Sequence, residues 1–242
     1  DATRQWATLA LAGPESRDVL TSAGTDIDLA AERFPHMCFR EGLVANMPAR
    51  VARVSFSGEL QYEINVHAGH AVTLWDRLLA AGASEAIQPV GMEAWLGLRL
   101  EKGYLVVGID TDGTTTPDDV GSAAWRKKTA NFIGRRSLMR PHALRPDRQK
   151  LVGLLGVDPA KRLPVGAHIL ASPSALPPCA TVGRITSSML SASLGQSVAL
   201  ALLANGRARI GETVTAYFDG QRHMATVVPL PFYDPQGARL NA

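Results

Sequence analysis

The feature that most limits how this chain can fold is a change of texture near residue 145. Arg140-Pro-His-Ala-Leu-Arg-Pro-Asp-Arg148 is a basic stretch broken by two prolines, which oppose helix there and just before them. Beyond it no long helical period survives. Six short apolar runs follow instead: Leu151–Val157, His168–Ala171, Ala180–Ser187, Ser197–Leu203, Thr213–Phe218 and Met224–Val228. Gly, Pro or Asn separates most of them, the pattern of a small sandwich or barrel. The first part is mixed. Ala7–Ala12 is a short apolar run, and Gly13-Pro14-Glu15 opens a helix to about Ser22. Val51–Phe56 and Gln61–His67 read as two strands around Ser57-Gly-Glu-Leu60. In the second strand Tyr62, Ile64 and Val66 share one face, and Glu63, Asn65 and His67 the other. Gly69 opens a helix with Val72, Trp75, Leu78 and Leu79 at helical spacing, ending near Gly82. Another helix runs from Met92 to about Lys102, where Gly103 is placed to stop it. A short strand, Tyr104–Ile109, and a loop, Asp110–Asp119, complete this part. The pattern predicts an α+β region over residues 1–145 and a strand-rich domain over 146–242.

Composition decides which classes are open. The chain has 242 residues, 46% of them hydrophobic and 19% charged, enough to bury the cores of two modest domains. Disorder and a disulfide-stapled miniprotein are excluded. No run approaches the roughly 20 apolar residues of a membrane span. The first residues lack a basic n-region, so no signal peptide is expected. Cys38 and Cys179 are too few for a disulfide framework, and a reducing, cytoplasmic setting is expected. The net charge of +3 hides an asymmetry: Arg126–Arg162 holds eleven Lys/Arg against Asp147 and Asp158 alone. With almost no interleaved aromatics, this segment does not resemble a nucleic-acid groove. It reads either as a solvated linker or as a docking surface for an anionic ligand tail or a partner subunit.

Several familiar chemistries fail on spacing. There is no G-x-G-x-x-G, and Gly206–Gly211 continues Glu-Thr without the phosphate-gripping lysine of a P-loop. Asp110-Thr-Asp-Gly113 brings its glycine too early for a calcium loop. His67 and His70 straddle a strand end and a helix start with no cysteine nearby, so no metal site is expected. No Ser stands in a G-x-S-x-G elbow, and Cys38 has no identifiable base.

Longer segments carry a specific signal. Arg53-Val-Ser-Phe-Ser-Gly-Glu-Leu-Gln-Tyr-Glu63 resembles the R-x-S-[YF]-[TS]-G-E-x-x-[YFW]-E hairpin of the folate-binding aminomethyltransferase superfamily. That superfamily includes the glycine cleavage T-protein and the folate domains of sarcosine and dimethylglycine oxidases. Gly91–Gly103, Gly108–Asp119, Trp125 and Phe132-Ile-Gly134 match in order. Within the superfamily, Arg99-Leu-Glu-Lys-Gly-Tyr104, Val107–Asp119, Gly134-Arg-Arg-Ser-Leu138, Arg145–Leu155 and Phe232-Tyr-Asp-Pro-Gln-Gly-Ala-Arg239 are similar to the α-subunit branch of heterotetrameric sarcosine oxidases. The resemblance implies a ferredoxin-like α/β folate-binding region followed by a small C-terminal β-barrel. It also implies a C-terminal piece of a longer protein.

The implied chemistry is capture of a one-carbon unit. A flavin elsewhere in the complex oxidises an N-methyl amine, and tetrahydrofolate bound to this chain takes the carbon as 5,10-methylene-tetrahydrofolate. FAD, FMN and NAD belong to other parts of that complex, and other oxidase subunits are the implied partners, with Arg126–Arg162 a docking surface. Glu63 matches the pterin-binding glutamate, since a carboxylate accepts two parallel N–H bonds from an amidine edge. By pattern alone it is an exposed strand acid. Phe56 matches an aromatic beside the pterin and is nearly as readable as core, and Tyr104, Trp125 and Tyr233 are further candidate pocket walls, each more readily read as core. Two departures matter. Where T-proteins carry Arg-Asp, this chain has Trp95-Leu96, so no arginine contact carries over. The superfamily's proposed catalytic Asp lies upstream of residue 1, so no catalytic base is named. Asp110, Asp112, Asp118 and Asp119 read as a solvated acidic cluster. The alternatives are a free-standing aminomethyltransferase, against which Trp95-Leu96 counts, and a non-catalytic folate-binding or scaffold protein. The preferred amine stays open.

Overall fold

The computed structural model describes residues 1–122 and 127–242, which divide into two units. Unit 1 holds Asp1–Arg99 together with Gln236–Ala242, and unit 2 holds Leu100–Pro235. Unit 1 is built on an antiparallel sheet of four strands, β1 (Trp6–Ala12), β2 (Cys38–Val44), β3 (Met47–Arg53) and β4 (Gln61–His67), in the order β1-β4-β3-β2. Alternation does the sorting. Leu11, Val44, Met47, Ala49, Val51, Tyr62, Ile64 and Val66 face a core closed by Val19 and Leu20 of α1 (Ser16–Ser22) and Leu74 and Leu78 of α2 (Ala71–Ala81). In α2 the buried pair lies one turn apart, so a single stripe meets the sheet. A further helix, α3 (Met92–Glu101), contains the division between the units.

The first hairpin differs from its predicted bounds. β3 begins at Met47 and ends at Arg53, so it pairs with β4 across the seven residues 54–60 rather than four. β2 has no counterpart in the sequence pattern, because Arg40-Glu41-Gly42 interrupts its apolar period. Tyr104–Ile109 is not a strand. Its backbone is consumed locally: the Val106 N–H donates to the Asp110 carboxylate at 2.9 Å, and the Asp110 N–H donates back to the Val106 carbonyl at 2.9 Å.

Unit 2 is a closed barrel of β5 (Gln149–Gly156), β6 (His168–Leu170), β7 (Thr181–Ser191), β8 (Gln196–Ala204), β9 (Thr213–Phe218) and β10 (Gln221–Val228), in the order β10-β5-β8-β7-β6-β9. All six predicted strands are present. Val152, Leu154, Ile169, Ile185, Ala199, Ala201, Leu203 and Val227 fill the interior. β8 is buried on both sides: Val198, Leu200 and Leu202 point outward into a second cluster with Leu100, Leu151, Leu230 and Phe232. Close approach demands glycine at two places. A Cβ on Gly183 would sit 2.3 Å from the Leu202 carbonyl oxygen, and one on Gly153 would meet the Phe232 ring at 2.7 Å. No helix among the described residues is long and apolar enough to cross a membrane.

Candidate functional site

The Ser-Phe-Ser-Gly-Glu-Leu-Gln sequence folds its own loop. The Gly58 N–H donates to Ser55 Oγ at 2.9 Å, Ser55 Oγ donates to the Glu59 carbonyl at 2.7 Å, and Gly58 takes φ +85°. Gln61, at the first position of β4, ties the loop down from the other side. Its Oε1 accepts from the N–H of Phe56 at 3.2 Å, the N–H of Ser57 at 3.4 Å and the Ser57 hydroxyl at 3.1 Å. Phe56 is thereby held half-buried, and its ring stacks on Trp95 of α3 with centroids 5.7 Å apart and planes 25° apart.

Glu63 lies two residues farther along β4 on the face turned away from the helices. Its cross-strand neighbours are Ala10 of β1 and Ala52 of β3, so small side chains flank the carboxylate on both sides. Glu63 is half-buried, and among the described residues its carboxylate has no hydrogen-bond or ion-pair partner. Beside Ala10 and Ala12 runs an apolar groove of about 400 Å³, walled by Trp75, Leu79, Val90, Met92 and Trp95. Unit 1 therefore joins an uncommitted carboxylate, an aromatic stack and an apolar groove, the components that recognise a flat heterocycle with a donor edge. Trp95 and Gln61 are absent from the sequence-derived site. The Trp95 signal was its position in the matched helix; Gln61 gave none, since its role depends on loop geometry.

The other predicted residues fall in unit 2. Tyr104 and Tyr233 belong to one clasp, in which the Phe232 and Tyr233 N–H groups donate to the Glu101 carbonyl, both at 3.0 Å. Lys102 donates from Nζ to the Asp234 carboxylate at 2.7 Å, and both side chains are largely buried. Burial, together with the nearby Asp234 charge, pushes the Tyr104 phenol up from its ordinary pKa. Trp125 lies outside the described residues.

The acidic loop is not a solvated cluster. Asp110, Asp118 and Asp119 are buried, and only Asp112 is exposed. Asp110 accepts from Thr186 Oγ1 at 2.6 Å and Ser187 Oγ at 2.7 Å. Asp119 accepts from Arg148 at 2.6 Å and Lys150 at 2.8 Å. Burial opposes its charge, but those two cations and the Thr116 hydrogen bonds hold the carboxyl well below the usual range. For Asp112, the Thr114 hydroxyl and the Arg184 guanidinium, then the Thr114 N–H, have the same effect. Arg148 and Lys150 are thus spent inside the fold, while Lys127, Lys128, Arg136, Arg140 and Arg145 are exposed. Arg145 is paired with Asp147.

Known proteins place this architecture. Residues 1–128 match the family model of the GCVT N-terminal domain, and residues 149–234 match that of the glycine cleavage T-protein C-terminal barrel domain. Sarcosine oxidase subunit alpha from Corynebacterium sp. strain P-1 is 42% identical over 98% of this chain, which spans only 25% of that relative. An aminomethyltransferase from Geobacillus thermodenitrificans is 33% identical over 96% of the chain and is spanned to 62%. The crystal structure of the glycine cleavage system aminomethyltransferase T from Bartonella henselae superposes with a TM-score of 0.76 at 27% identity, covering 95% of this chain and 60% of that one. The chain belongs to the glycine cleavage T-protein family, with its GCVT N-terminal domain followed by its C-terminal barrel domain.

Proposed function

We propose that this chain is the folate-binding part of a sarcosine oxidase α subunit, receiving the one-carbon unit of an oxidised N-methyl amine on tetrahydrofolate. The observation that carries this is Glu63: a half-buried carboxylate with no partner among the described residues, set between two alanines beside an apolar groove. Such a carboxylate is available to accept hydrogen bonds from a ligand. A pterin does so through its ring N–H and amino group, with Phe56 and the stacked Trp95 as apolar walls. Bound tetrahydrofolate supplies two nitrogens that close on the incoming carbon, their two hydrogens leaving on the amine released as glycine. The chain's part is to hold the ring and exclude water from the transfer. Trp95, in place of the T-protein arginine, favours the oxidase branch over a free-standing aminomethyltransferase.

A module boundary near residue 145 is part of the same reading. Other oxidase subunits are the partners, met through the exposed cations of 127–145, and flavin and NAD chemistry lies outside these residues. The chain alone does not turn over. A cytoplasmic setting suits its two free thiols, Cys38 and Cys179. The test is anaerobic calorimetry of tetrahydrofolate against the parent chain and Glu63→Ala. The expected result is saturable binding that weakens by about 1.5–3 kcal/mol in the variant. Equal binding by both removes Glu63 from the site, and no binding by the parent overturns the folate reading for this chain.

A further inference from the structure

Gln61 is 1% exposed, and its Nε2 is buried without a hydrogen-bond partner among the described residues. The amide cannot be relieved by turning it over. Two backbone N–H groups, of Phe56 and Ser57, point at the other end, and an N–H can only donate, so the atom facing them must be the oxygen. The amino group is therefore fixed on the side away from the loop, as a donor with nothing to donate to. Buried donors in folded proteins are almost always satisfied, and an exception calls for a cause.

The position of the residue suggests one. Gln61 and Glu63 alternate to the same face of β4, roughly 7 Å apart at Cα. Opposite Gln61 on β1 stands Ala12, and opposite Glu63 stands Ala10, both lining the apolar groove. One strand thus offers a charged acceptor and a neutral donor in sequence on a surface kept low by alanines. A 4-oxo pterin presents the complementary order along one edge: an amino group and a ring N–H, then a carbonyl oxygen.

We infer that Gln61 is a specificity-determining residue of the Glu63 site, donating from Nε2 to the carbonyl oxygen beside the ring N–H that Glu63 binds. The inference rests on the folate reading above. Nε2 is closed to solvent in the free chain, so ligand entry displaces the group over it. A carbonyl-bearing ring is accepted and its 4-amino analogue, which turns a donor toward a donor, is refused.

The test compares tetrahydrofolate with its 4-amino analogue by anaerobic calorimetry on the full chain. The parent is expected to prefer the 4-oxo ligand by tenfold or more. Gln61→Glu keeps the oxygen that holds the loop and replaces only the donor. It should weaken the 4-oxo ligand at least tenfold, strengthen the 4-amino ligand, and reverse the preference, with the Glu63→Ala loss unchanged in kind. Thermal melting of the variant, compared with the parent, separates this from loss of the loop. A parent that binds both ligands equally overturns the inference while leaving the folate reading intact, and needs no variant. A reversed preference absent from a folded Gln61→Glu protein also overturns it. A parent that binds neither ligand removes the folate reading, and this inference with it.

Discussion

Tyr62 is fully buried in the unit 1 core, its ring 5.9 Å from that of Phe34, and its hydroxyl has no hydrogen-bond partner among the described residues. Tyr62→Phe should accordingly leave stability unchanged or raise it by about 1 kcal/mol, since it removes an unsatisfied polar atom and keeps the ring; urea denaturation measures this. Asp119 is the opposite case. Its neutral replacement, Asp119→Asn, strands the Arg148 guanidinium and Lys150 ammonium in a buried setting and should cost about 3–5 kcal/mol by the same measurement. Residues of this kind are the least legible in the sequence. Asp119 sits in a polar run that looks solvated, and the cations that bury it come 29 and 31 residues later. Glu63 was legible as a candidate through the matched Arg53–Glu63 segment, whereas its alternation alone gave an exposed strand acid. That its neighbours are Ala10 and Ala52 follows only from the register, which sequence spacing leaves open.

Among the elements, the barrel strands were readable because Gly, Pro and Asn mark most of their ends. β2 was not, since Arg40 and Glu41 fall within it and nothing local pays for a strand there; pairing with all of β3 makes it one. Tyr104–Ile109 shows the reverse, a strand-forming composition overruled by a carboxylate that caps the turn. The helix at Met92 was placed correctly, yet its composition did not reveal that Trp95 stacks on Phe56. β7 and β8 give a sharp test of packing. Gly183→Ala forces a methyl against the Leu202 carbonyl and should lower stability by about 1–3 kcal/mol. Leu200→Ala, which empties a fully buried site on the outer face of β8, should lower it by about 2–5 kcal/mol. Both are read from denaturation midpoints.

For the whole molecule, acid should weaken the fold in two steps. Burial, then the neighbouring Arg53 charge, lowers the pKa of His36; burial, then Lys161, lowers that of His223. The unfolded chain then takes up protons first, so stability falls as pH drops below about 6.5. Asp112 and Asp119 are also depressed, and their contribution is full above about pH 4 and is lost below it. Denaturation midpoints across pH should show both limbs, and His36→Gln with His223→Gln should flatten the upper one alone. The terminal segment offers a different lever. Arg17 and Arg53 both donate to the Ala242 carbonyl oxygen, at 2.7 and 2.8 Å, although the barrel strands lie between. Deleting residues 236–242 leaves the buried Arg53 guanidinium short of an acceptor and should lower the melting temperature of unit 1. The same segment sets an order of assembly during synthesis. Synthesis runs from the N- to the C-terminal side, so every barrel strand has emerged before residues 236–242 can join unit 1. Of the two units the one begun first is the one finished last, and until residue 242 emerges Arg17 lacks that acceptor and Arg53 is held by the Phe34 carbonyl alone.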